Sequence, residues 1–364
     1  MGLSADDAGH MAQALRLAER GLYTTDPNPR VGCVLTRDGA VVGEGFHERA
    51  GAAHAEVHAL AAAGPRARGS TAYLTLEPCS HHGRTPPCAD ALVAAGVARV
   101  VAAMEDPNPR VRGQGLARLR TAGIAVETGL MAAEAAALNP GFVQRMAGAR
   151  PFVRMKIAAS LDGRTALASG ASQWITGEAA RADVQHWRAR SSAIVTGIGT
   201  VRADDPSLTV RRFDTGRPPL RVVLDGTLAM SPGARMLSLP GATLVVCRVA
   251  AAAARAALQA AGAEVLEQPG AGPVDLSELL RELARREANE VLVEAGAGLS
   301  GAFIAAGLVD EMVLFLAPHF LGHEARALAQ LPGLSHMGQR GEWDLADVRQ
   351  VGADLRLILR PRPR

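Results

Sequence analysis

A chain of 364 residues is long enough for two domains, and its 48% hydrophobic and 21% charged residues are typical of a globular protein. A net charge of only +3 and an aromatic content of 3% argue against a nucleic-acid-binding protein. The first ten residues lack the pattern of a secretory signal, no apolar run is long enough to span a bilayer, and four cysteines do not make a disulfide scaffold. We therefore expect a cytoplasmic protein with no membrane and no nucleic-acid partner.

The first half of the chain alternates helix-like and strand-like segments. Ser4 and Asp7 have the spacing of a capping box, which predicts that the first helix begins there. The dipeptide Asp38-Gly39 separates two strand-like runs and is typical of a hairpin turn. This alternation predicts a three-layer α/β/α sandwich. The predicted segments are a helix to about residue 21, strands over 31–36 and 40–46, a helix from about 54, a strand over 72–76, a helix over 88–95 and a strand over 99–103.

Residues 148–151, Gly-Ala-Arg-Pro, are typical of a linker, because glycine and proline interrupt regular structure. We therefore predict two domains, residues 1–149 and residues 150–364. The second half again alternates apolar, β-prone runs with helical stretches, so we expect another α/β domain. Its predicted strands cover 152–157, 193–196, 220–224, 243–247 and 290–293, and its predicted helices cover 250–261 and 276–286.

His54, Cys79 and Cys88 have the residue types of a zinc site. One imidazole and two thiolates are suitable zinc ligands and leave a fourth position for water, whose pKa bound zinc lowers to about 7. Glu56 follows His54 by two residues, so its carboxylate can enter the same pocket and transfer protons. This order of residues is typical of zinc-dependent pyrimidine deaminases. The alternative is that the cysteines are separate packing residues, since free cysteine is often buried.

The two cysteines are separated by eight residues, Ser-His-His-Gly-Arg-Thr-Pro-Pro, where nucleic-acid and nucleoside deaminases usually have two. With this insert, residues 75–88 resemble the deaminase half of the bacterial RibD family of riboflavin biosynthesis. Residues 26–33, 45–51 and 160–165 also resemble that family, and the resemblance extends from about Met11 to Gly352. It implies a cytidine-deaminase-like domain with Zn²⁺, joined to a dihydrofolate-reductase-like α/β domain that uses NADPH.

The resemblance implies that the first domain replaces the 2-amino group of a phosphorylated pyrimidinone with oxygen. Glu56 would then be the catalytic proton carrier, and His54, Cys79 and Cys88 the metal ligands. A guanidinium and an imidazole suit a phosphate, although a solvated surface loop is the alternative for the inserted segment. The substrate-binding residues that the resemblance implies are Asn28 and His47, with His81 and Arg84 for the phosphate.

The second half has no G-x-G-x-x-G after its first strand, so it lacks the usual dinucleotide fingerprint. Gly296 and Gly298 lie between a predicted strand and a predicted helix, where backbone amides can hold a diphosphate. Turns also need glycine, so the glycines alone are weak support. The resemblance assigns Gly296 and Gly298 to NADPH, together with Ala158, Trp174, Thr200 and Asp204.

The reaction that the resemblance implies for this half is hydride transfer from NADPH to C1′ of the ribosylamino group, which opens the sugar to a ribityl chain. Lys156 and Glu294 end predicted strands, and by family precedent both face the ribose. Lys156 is a candidate proton donor; binding of the substrate alone is the alternative. Arg188 and Arg211 could hold the phosphate, although solvated arginine is the common case. The implied substrate contacts are Ser172, Arg188, Leu208, Arg211 and Glu294.

The main competing interpretation is a single-activity deaminase that acts on nucleic acid or on another pyrimidine and carries a non-catalytic second domain. The presence of both sets of residues, His54 with Glu56 and Lys156 with Glu294, favours two activities. Family precedent further implies a homo-oligomer built through the second domain.

Overall fold

The structure is a computed structural model and describes residues 3–80, 87–249 and 251–362. Its internal contacts divide the chain into two compact units, Met1–Ala149 and Arg150–Arg364. The division falls at the end of a helix, where Ala149 has a φ of 54° and Pro151 precedes the next strand. Within the described ranges, no helix combines the length and the hydrophobicity that crossing a bilayer requires.

The N-terminal unit, Met1–Ala149, contains six helices, five strands and one short 3₁₀ helix among its described residues. Their bounds are α1 (Ala5–Glu19), β1 (Gly32–Arg37), β2 (Ala40–Phe46), α2 (Ala55–Ala63), a 3₁₀ helix (Gly64–Ala67), β3 (Thr71–Leu74), α3 (Cys88–Ala95), β4 (Arg99–Ala102), α4 (Gln114–Thr121), β5 (Ala125–Thr128), α5 (Ala132–Leu138) and α6 (Pro140–Gly148).

Two local predictions at the start of this unit are confirmed. The Ser4 hydroxyl accepts a hydrogen bond from the Asp7 backbone N–H at 3.2 Å, and the Asp7 carboxylate accepts one from the Ser4 N–H at 2.7 Å. This capping box begins α1. Asp38 and Gly39 have φ values of 51° and 78° and connect the antiparallel strands β1 and β2.

The five strands form one sheet in the order β2-β1-β3-β4-β5, in which β3, β4 and β5 are parallel. Successive residues of β1 face opposite sides, so Val34 packs with α1 and α5 whereas Cys33 and Leu35 pack with α2, α3 and α4. Helices therefore cover both faces of the sheet, and the predicted three-layer arrangement is confirmed.

Helix α2 lies very close to β2, because β2 contains two glycines on the facing side. A Cβ atom at Gly43 would be 2.3 Å from the Ala59 carbonyl oxygen, and one at Gly45 would be 2.3 Å from that of Ala55. Any side chain at these positions would displace the helix. The start of α2, which carries His54 and Glu56, is thereby fixed against the sheet.

The C-terminal unit, Arg150–Arg364, contains the longer series of elements. Their bounds are β6 (Phe152–Ser160), β7 (Arg164–Ala166), α7 (Glu178–Ala189), β8 (Ala193–Gly197), α8 (Ile198–Asp204), β9 (Leu220–Leu224), a 3₁₀ helix (Arg235–Ser238), β10 (Thr243–Cys247), α9 (Ala252–Ala260), β11 (Ala263–Glu267), α10 (Leu276–Arg285), β12 (Glu290–Val293), α11 (Ala297–Ala305), β13 (Glu311–Ala317), β14 (Arg326–Ala327), a 3₁₀ helix (Met337–Gln339), β15 (Trp343–Val351) and β16 (Asp354–Pro361).

Nine of these strands form a mixed sheet in the order β11-β10-β9-β8-β12-β6-β13-β16-β15. The strands from β11 to β13 are parallel, and β16 and β15 continue the sheet as an antiparallel hairpin. The buried side chains of α10 and α11 pack on one face and those of α7 and α9 on the other. The predicted α/β architecture of the second half is confirmed.

One predicted boundary in this unit is wrong. Strand β6 continues to Ser160, so Lys156 lies within the strand and not at its end. The strand is longer because β13 pairs with it as far as Ser160 and supplies partners for its backbone, whereas β12 pairs only with residues 152–155. Glu294 does follow β12 directly, as predicted.

Candidate active sites

His54, Cys79 and Cys88 converge in the N-terminal unit. His54 is the N-cap of α2 and Cys88 is the first residue of α3, while Cys79 lies in the segment after β3. Their potential ligand atoms all lie within 4.8 Å of one another, and Nδ1 of His54 is 3.3 Å from Sγ of Cys88 and 3.6 Å from Sγ of Cys79. Two sulfurs and one imidazole nitrogen at these separations fit a tetrahedral zinc ion with one open position.

The two thiols share one proton. A hydrogen bond from the Cys88 thiol, together with the nearby imidazole of His54, lowers the pKa of Cys79. The same contact raises the pKa of Cys88, and burial adds to that rise. The backbone N–H of Cys88 also donates to Sγ of Cys79 at 3.3 Å. One thiolate is therefore favoured, and binding of a dication would release the remaining proton.

Glu56 lies beside this cluster in the first turn of α2, and only 3% of its surface is exposed. Burial raises the pKa of its carboxyl group, while the positive charge of His54 acts in the opposite direction. A carboxyl group in this position can exchange protons with a ligand held at the cluster.

Asn28 and His47 form a second polar pair next to His54. Nδ1 of His47 is 3.0 Å from the Ala53 carbonyl oxygen, which can only accept, so this nitrogen carries the proton. Nε2 then accepts from the side-chain amide of Asn28, at 3.1 Å. Burial lowers the pKa of His47, which keeps the ring neutral, and the His47 and His54 rings meet edge to face at 5.4 Å. The predicted His81 and Arg84 lie outside the described residues.

Lys156, Arg188 and Glu294 meet in the C-terminal unit. Glu294 accepts from Nε and Nη2 of Arg188 at 2.6 and 3.0 Å, and Nζ of Lys156 is 3.8 Å from the same carboxylate. Burial tends to raise the pKa of Glu294, but the charges of Arg188 and Lys156 bring it down to about 2. Burial also lowers the pKa of Lys156. This ionised carboxylate therefore holds two cations at the end of β12.

Lys156 is also the only lysine among the 39 lysine and arginine residues of the chain. Every other basic side chain of this kind is arginine, which does not lose its proton in proteins. The presence of an amine at this one position therefore points to proton transfer, a signal that is visible in the sequence.

The other predicted residues of this unit form smaller groups. The Ser172 hydroxyl donates to Asp204 at 3.1 Å, and Thr200 Oγ1 lies 3.9 Å from where a Cβ on Gly296 would stand. Gly296 is the N-cap of α11, whereas Gly298 lies within its first turn. Ala158 lies on β6 opposite Phe315 of β13.

Three predicted residues are not joined to these groups by the contacts of the described chain. Trp174 is 69% exposed and stacks under Arg181, with the guanidinium carbon 4.5 Å from the ring centroid. Leu208 is buried, with a φ of 46°. Arg211 has an exposed side chain, and its backbone N–H donates to Gln185 at 3.1 Å. Gln185 was not predicted, because no local pattern marks this contact between distant residues.

Glu77 is a further residue that sequence reasoning missed. Its carboxylate accepts hydrogen bonds from the backbone N–H groups of Asp106, Gly113 and Gly115 at 3.0, 2.9 and 2.8 Å. It therefore fixes the segment before α4 to the residue that precedes Pro78 and Cys79. An acidic residue directly after the apolar run 72–76 was the available signal in the sequence.

The glycine spacing G-x-G-x-x-G occurs at residues 296–301, after β12 and not after the first strand of the unit. A Cβ on Gly301 would be 1.9 Å from the Gln330 carbonyl oxygen, so this glycine permits a close approach of the backbone. Gly296 and Gly298 have more space around them. The glycine pattern thus surrounds the N-terminus of α11, which is suited to an anionic group.

Comparisons with known proteins agree with these two units. Residues 4–104 match the family model of the cytidine and deoxycytidylate deaminase zinc-binding region, and residues 151–357 match that of the RibD C-terminal domain. Among curated proteins, the chain is similar to riboflavin biosynthesis protein RibD of Escherichia coli K12, with 49% identity covering 97% of this chain and 99% of the relative. The RibD protein of Haemophilus influenzae is 46% identical to this chain, and the match covers 99% of this chain and 98% of that relative.

Solved structures give the same result. One form of Acinetobacter baumannii RibD superposes with a TM-score of 0.93 at 49% identity, covering 98% of this chain and 99% of that one. A deaminase/reductase from Thermotoga maritima superposes with a TM-score of 0.85 at 33% identity, covering 98% and 99%. The chain therefore belongs to the RibD family of riboflavin biosynthesis, with a cytidine-deaminase-like N-terminal domain and a RibD reductase domain.

Proposed function

We propose that residues 1–149 hydrolyse the 2-amino group of 2,5-diamino-6-(5-phosphoribosylamino)pyrimidin-4(3H)-one. Residues 150–364 then reduce the ribosyl group of the product, 5-amino-6-(5-phosphoribosylamino)uracil, to ribityl with NADPH. The observation that carries the proposal is the convergence of His54, Cys79 and Cys88 within 4.8 Å, beside the buried carboxylate of Glu56. The substrates follow from the T. maritima relative, whose name contains both the deaminase and the uracil reductase.

The competing interpretation, a single-activity deaminase with a non-catalytic second domain, is not supported. Family models match both halves of the chain, and the E. coli relative matches 97% of it. The chain is a bifunctional enzyme of riboflavin biosynthesis, with a hydrolase and an oxidoreductase activity. We further propose, from family precedent, that it works in the cytoplasm as a homo-oligomer.

In the deaminase site, His54, Cys79 and Cys88 would hold Zn²⁺. When bound, zinc lowers the pKa of a coordinated water to about 7 and so supplies a nucleophile at neutral pH. Glu56 is placed to take a proton from the attacking water and to pass it to the departing ammonia. Asn28 and the neutral His47 would hold the pyrimidine by hydrogen bonds, and His81 and Arg84 its phosphate.

In the reductase site, NADPH when bound supplies a hydride to C1′ of the sugar. The amine of Lys156 would give a proton to the ring oxygen as the C1′–O bond breaks, while Glu294 holds that amine in place. The side chains that would bind the substrate are Ser172, Arg188, Leu208, Arg211 and Glu294. The residues that would bind the cofactor are Ala158, Trp174, Thr200, Asp204, Gly296 and Gly298.

The first test replaces the proposed proton carrier of the deaminase. We expect Glu56→Gln to lower the rate of ammonia release by about 10²–10⁴-fold, since the amide cannot transfer the proton. Zinc content and NADPH oxidation on the deaminated substrate should not change. The control is Glu134→Gln, which alters an exposed glutamate of the same unit. Ammonia release at the wild-type rate in the Glu56 variant would remove this residue from its proposed role.

The second test separates binding from proton transfer at Lys156. Lys156→Arg keeps a positive charge beside Glu294 but cannot donate a proton, so kcat for NADPH oxidation should fall while KM changes little. Lys156→Ala removes both the charge and the proton, so it should lower kcat and also raise KM. Deamination should be unaffected in either variant. If the arginine variant retains the wild-type kcat, Lys156 serves only to bind the substrate.

A further inference from the structure

The segment that carries Asn28 lies just outside the sheet of the N-terminal unit. Strand β1 begins only at Gly32, and the last contact with the neighbouring chain before it is the His47 N–H, which donates to the Val31 carbonyl oxygen at 2.9 Å. Arg30 lies between this contact and Asn28, and it is buried. Its backbone groups therefore need hydrogen-bond partners from another part of the fold.

Asn139 supplies a partner for both backbone groups of Arg30. The Arg30 N–H donates to Oδ1 of Asn139 at 2.8 Å, and Nδ2 of Asn139 donates to the Arg30 carbonyl oxygen at 2.9 Å. Only 4% of the Asn139 surface is exposed, so water competes little for these bonds. The side-chain amide thus takes the place that a neighbouring strand would have beside Arg30.

The asparagine side chain is committed to this contact and not to its own helix. Asn139 is the N-cap of α6, a position where an asparagine oxygen usually accepts from a backbone N–H of the helix. Here the side chain makes no capping hydrogen bond to α6, all of whose residues the structure describes. The local role is given up, and the contact with Arg30 is what the amide provides instead.

The Arg30 side chain strengthens the same connection. Its Nη1 donates to the carbonyl oxygen of Leu138, the last residue of α5, at 2.9 Å. Its Nε donates to the Leu22 carbonyl oxygen, shortly after α1, at 3.3 Å. The backbone and the side chain of Arg30 therefore both hold this segment against the connection between α5 and α6.

We propose that Asn139 is a positioning residue of the deaminase, which holds Arg30 and thereby sets the place of the Asn28 amide. Asn28 is only two residues away from the bridged backbone, and its Nδ2 lies 3.1 Å from Nε2 of His47. A small displacement of a binding group is sufficient to slow a reaction considerably. The assignment rests on the substrate contact proposed for Asn28.

The kinetic test is a double-mutant cycle on the full-length, zinc-loaded protein, followed by ammonia release from the phosphorylated diaminopyrimidinone. Asn28→Ala and Asn139→Ala should each lower kcat/KM by about 10- to 100-fold. Because Asn139 acts through Asn28, the double variant should lie within about twofold of Asn28→Ala. Losses that multiply in the double variant, or an Asn139→Ala variant with the wild-type kcat/KM, would overturn the proposal.

Ser70→Ala is the matched control for a buried hydrogen bond that is lost elsewhere in the unit. Ser70 is fully buried, and its hydroxyl donates to the Ala67 carbonyl oxygen at 2.7 Å. It directly precedes β3, whereas Cys79 lies after the other end of that strand. This variant should be less stable than the wild type but keep its kcat/KM. An equal loss of kcat/KM in Ser70→Ala would overturn the proposal, since general destabilisation would then explain both.

Hydrogen exchange of the peptide that spans residues 25–31 tests the contact without any substrate. Exchange should be faster in Asn139→Ala and unchanged in Ser70→Ala, and equal exchange in the wild type and in Asn139→Ala would overturn the proposal. Faster exchange in Asn139→Ala, combined with a wild type that releases no ammonia, would support the positioning by Asn139 and contradict the proposed substrate instead.

A second variant decides the question if Asn139→Ala does not fold. Asn139→Ser keeps a favourable N-cap residue for α6, but its side chain is too short to pair with both backbone groups of Arg30. It should show the same loss of kcat/KM and the same faster exchange of residues 25–31. A folded Asn139→Ser variant with wild-type kinetics and exchange would overturn the proposal.

Discussion

Glu294 balances the charges of the proposed reductase site. It is the only carboxylate that pairs with both Lys156 and Arg188 among the described residues, and its side chain is 10% exposed. Arg188 also donates to the Thr209 carbonyl oxygen at 3.2 Å, so the ion pair connects β12 to the segment that carries Leu208 and Arg211. Removal of this carboxylate leaves two largely buried cations without their shared carboxylate, which is destabilising.

The lowered pKa of Glu294 predicts how stability depends on pH. The pKa falls from an ordinary 4.5 to about 2 in the folded state, so the carboxylate stabilises the fold fully above about pH 4.5 and loses this effect as the pH falls toward 2. Glu294→Gln should reduce the free energy of unfolding at pH 7 by about 3 kcal/mol and flatten its decline below pH 4.5.

Tryptophan fluorescence in urea reports the unfolding of the C-terminal unit alone. All three tryptophans of the chain lie in that unit, at Trp174, Trp187 and Trp343. The comparison is made at pH 7, 4.5 and 3. A decline below pH 4.5 that is equally steep in the wild type and the variant would contradict the assigned role of this ion pair.

At the scale of single elements, Gly115 couples helix α4 to the proposed zinc ligands. A Cβ atom at this position would be 2.0 Å from the Pro78 carbonyl oxygen, and the Gly115 N–H donates to Glu77. The start of α4 therefore rests directly on the residues that precede Cys79. Such outer contacts orient metal ligands and contribute to metal affinity.

We expect Gly115→Ala to displace this contact and to lower zinc affinity by about 10–100-fold. Gly9→Ala is the matched control, because nothing lies within 4 Å of a Cβ in the middle of α1. That change should leave zinc affinity unaltered and stabilise the protein by about 0.5–1 kcal/mol. The zinc affinity of each variant is measured as the zinc content that remains after dialysis against increasing concentrations of a chelator. Equal zinc retention in Gly115→Ala and Gly9→Ala would show that α4 does not support the site.

Much of the fold could be predicted from local patterns. The predicted bounds of α3, β9, β10 and β12 are those of the structure, because apolar runs between clear breaks mark short buried elements. Helix α8 was not predicted, since Gly197 and Gly199 weaken its helical signal and packing around Val201 maintains it. The predicted end of β6 was wrong, because pairing with a neighbouring strand determines where β6 ends, and composition does not show this pairing.

The candidate sites were predictable to different degrees. Spacing was sufficient to group His54, Cys79 and Cys88, since the chemistry requires these residue types in this order. The bidentate contact of Arg188 with Glu294 joins residues 106 positions apart, so only the tertiary fold shows it. The same holds for the contact between Arg211 and Gln185.

At the scale of the whole molecule, each unit has its own sheet, its own core and its own set of chemical groups. The N-terminal unit offers metal ligands and a buried carboxylate, which suit hydrolysis. The C-terminal unit offers a half-buried amine and the N-terminus of α11 after a glycine-rich turn, which suit reduction by a nucleotide cofactor. The chain therefore carries the groups for two successive reactions.

The most direct test follows ammonia release and NADPH oxidation together on the purified protein, with the phosphorylated diaminopyrimidinone as substrate. We expect ammonia to appear first and NADPH then to be consumed in an equal amount, because the product of the first site is the substrate of the second. Ammonia release without NADPH oxidation would contradict the function proposed for residues 150–364. Absence of both signals would contradict the substrate assignment itself.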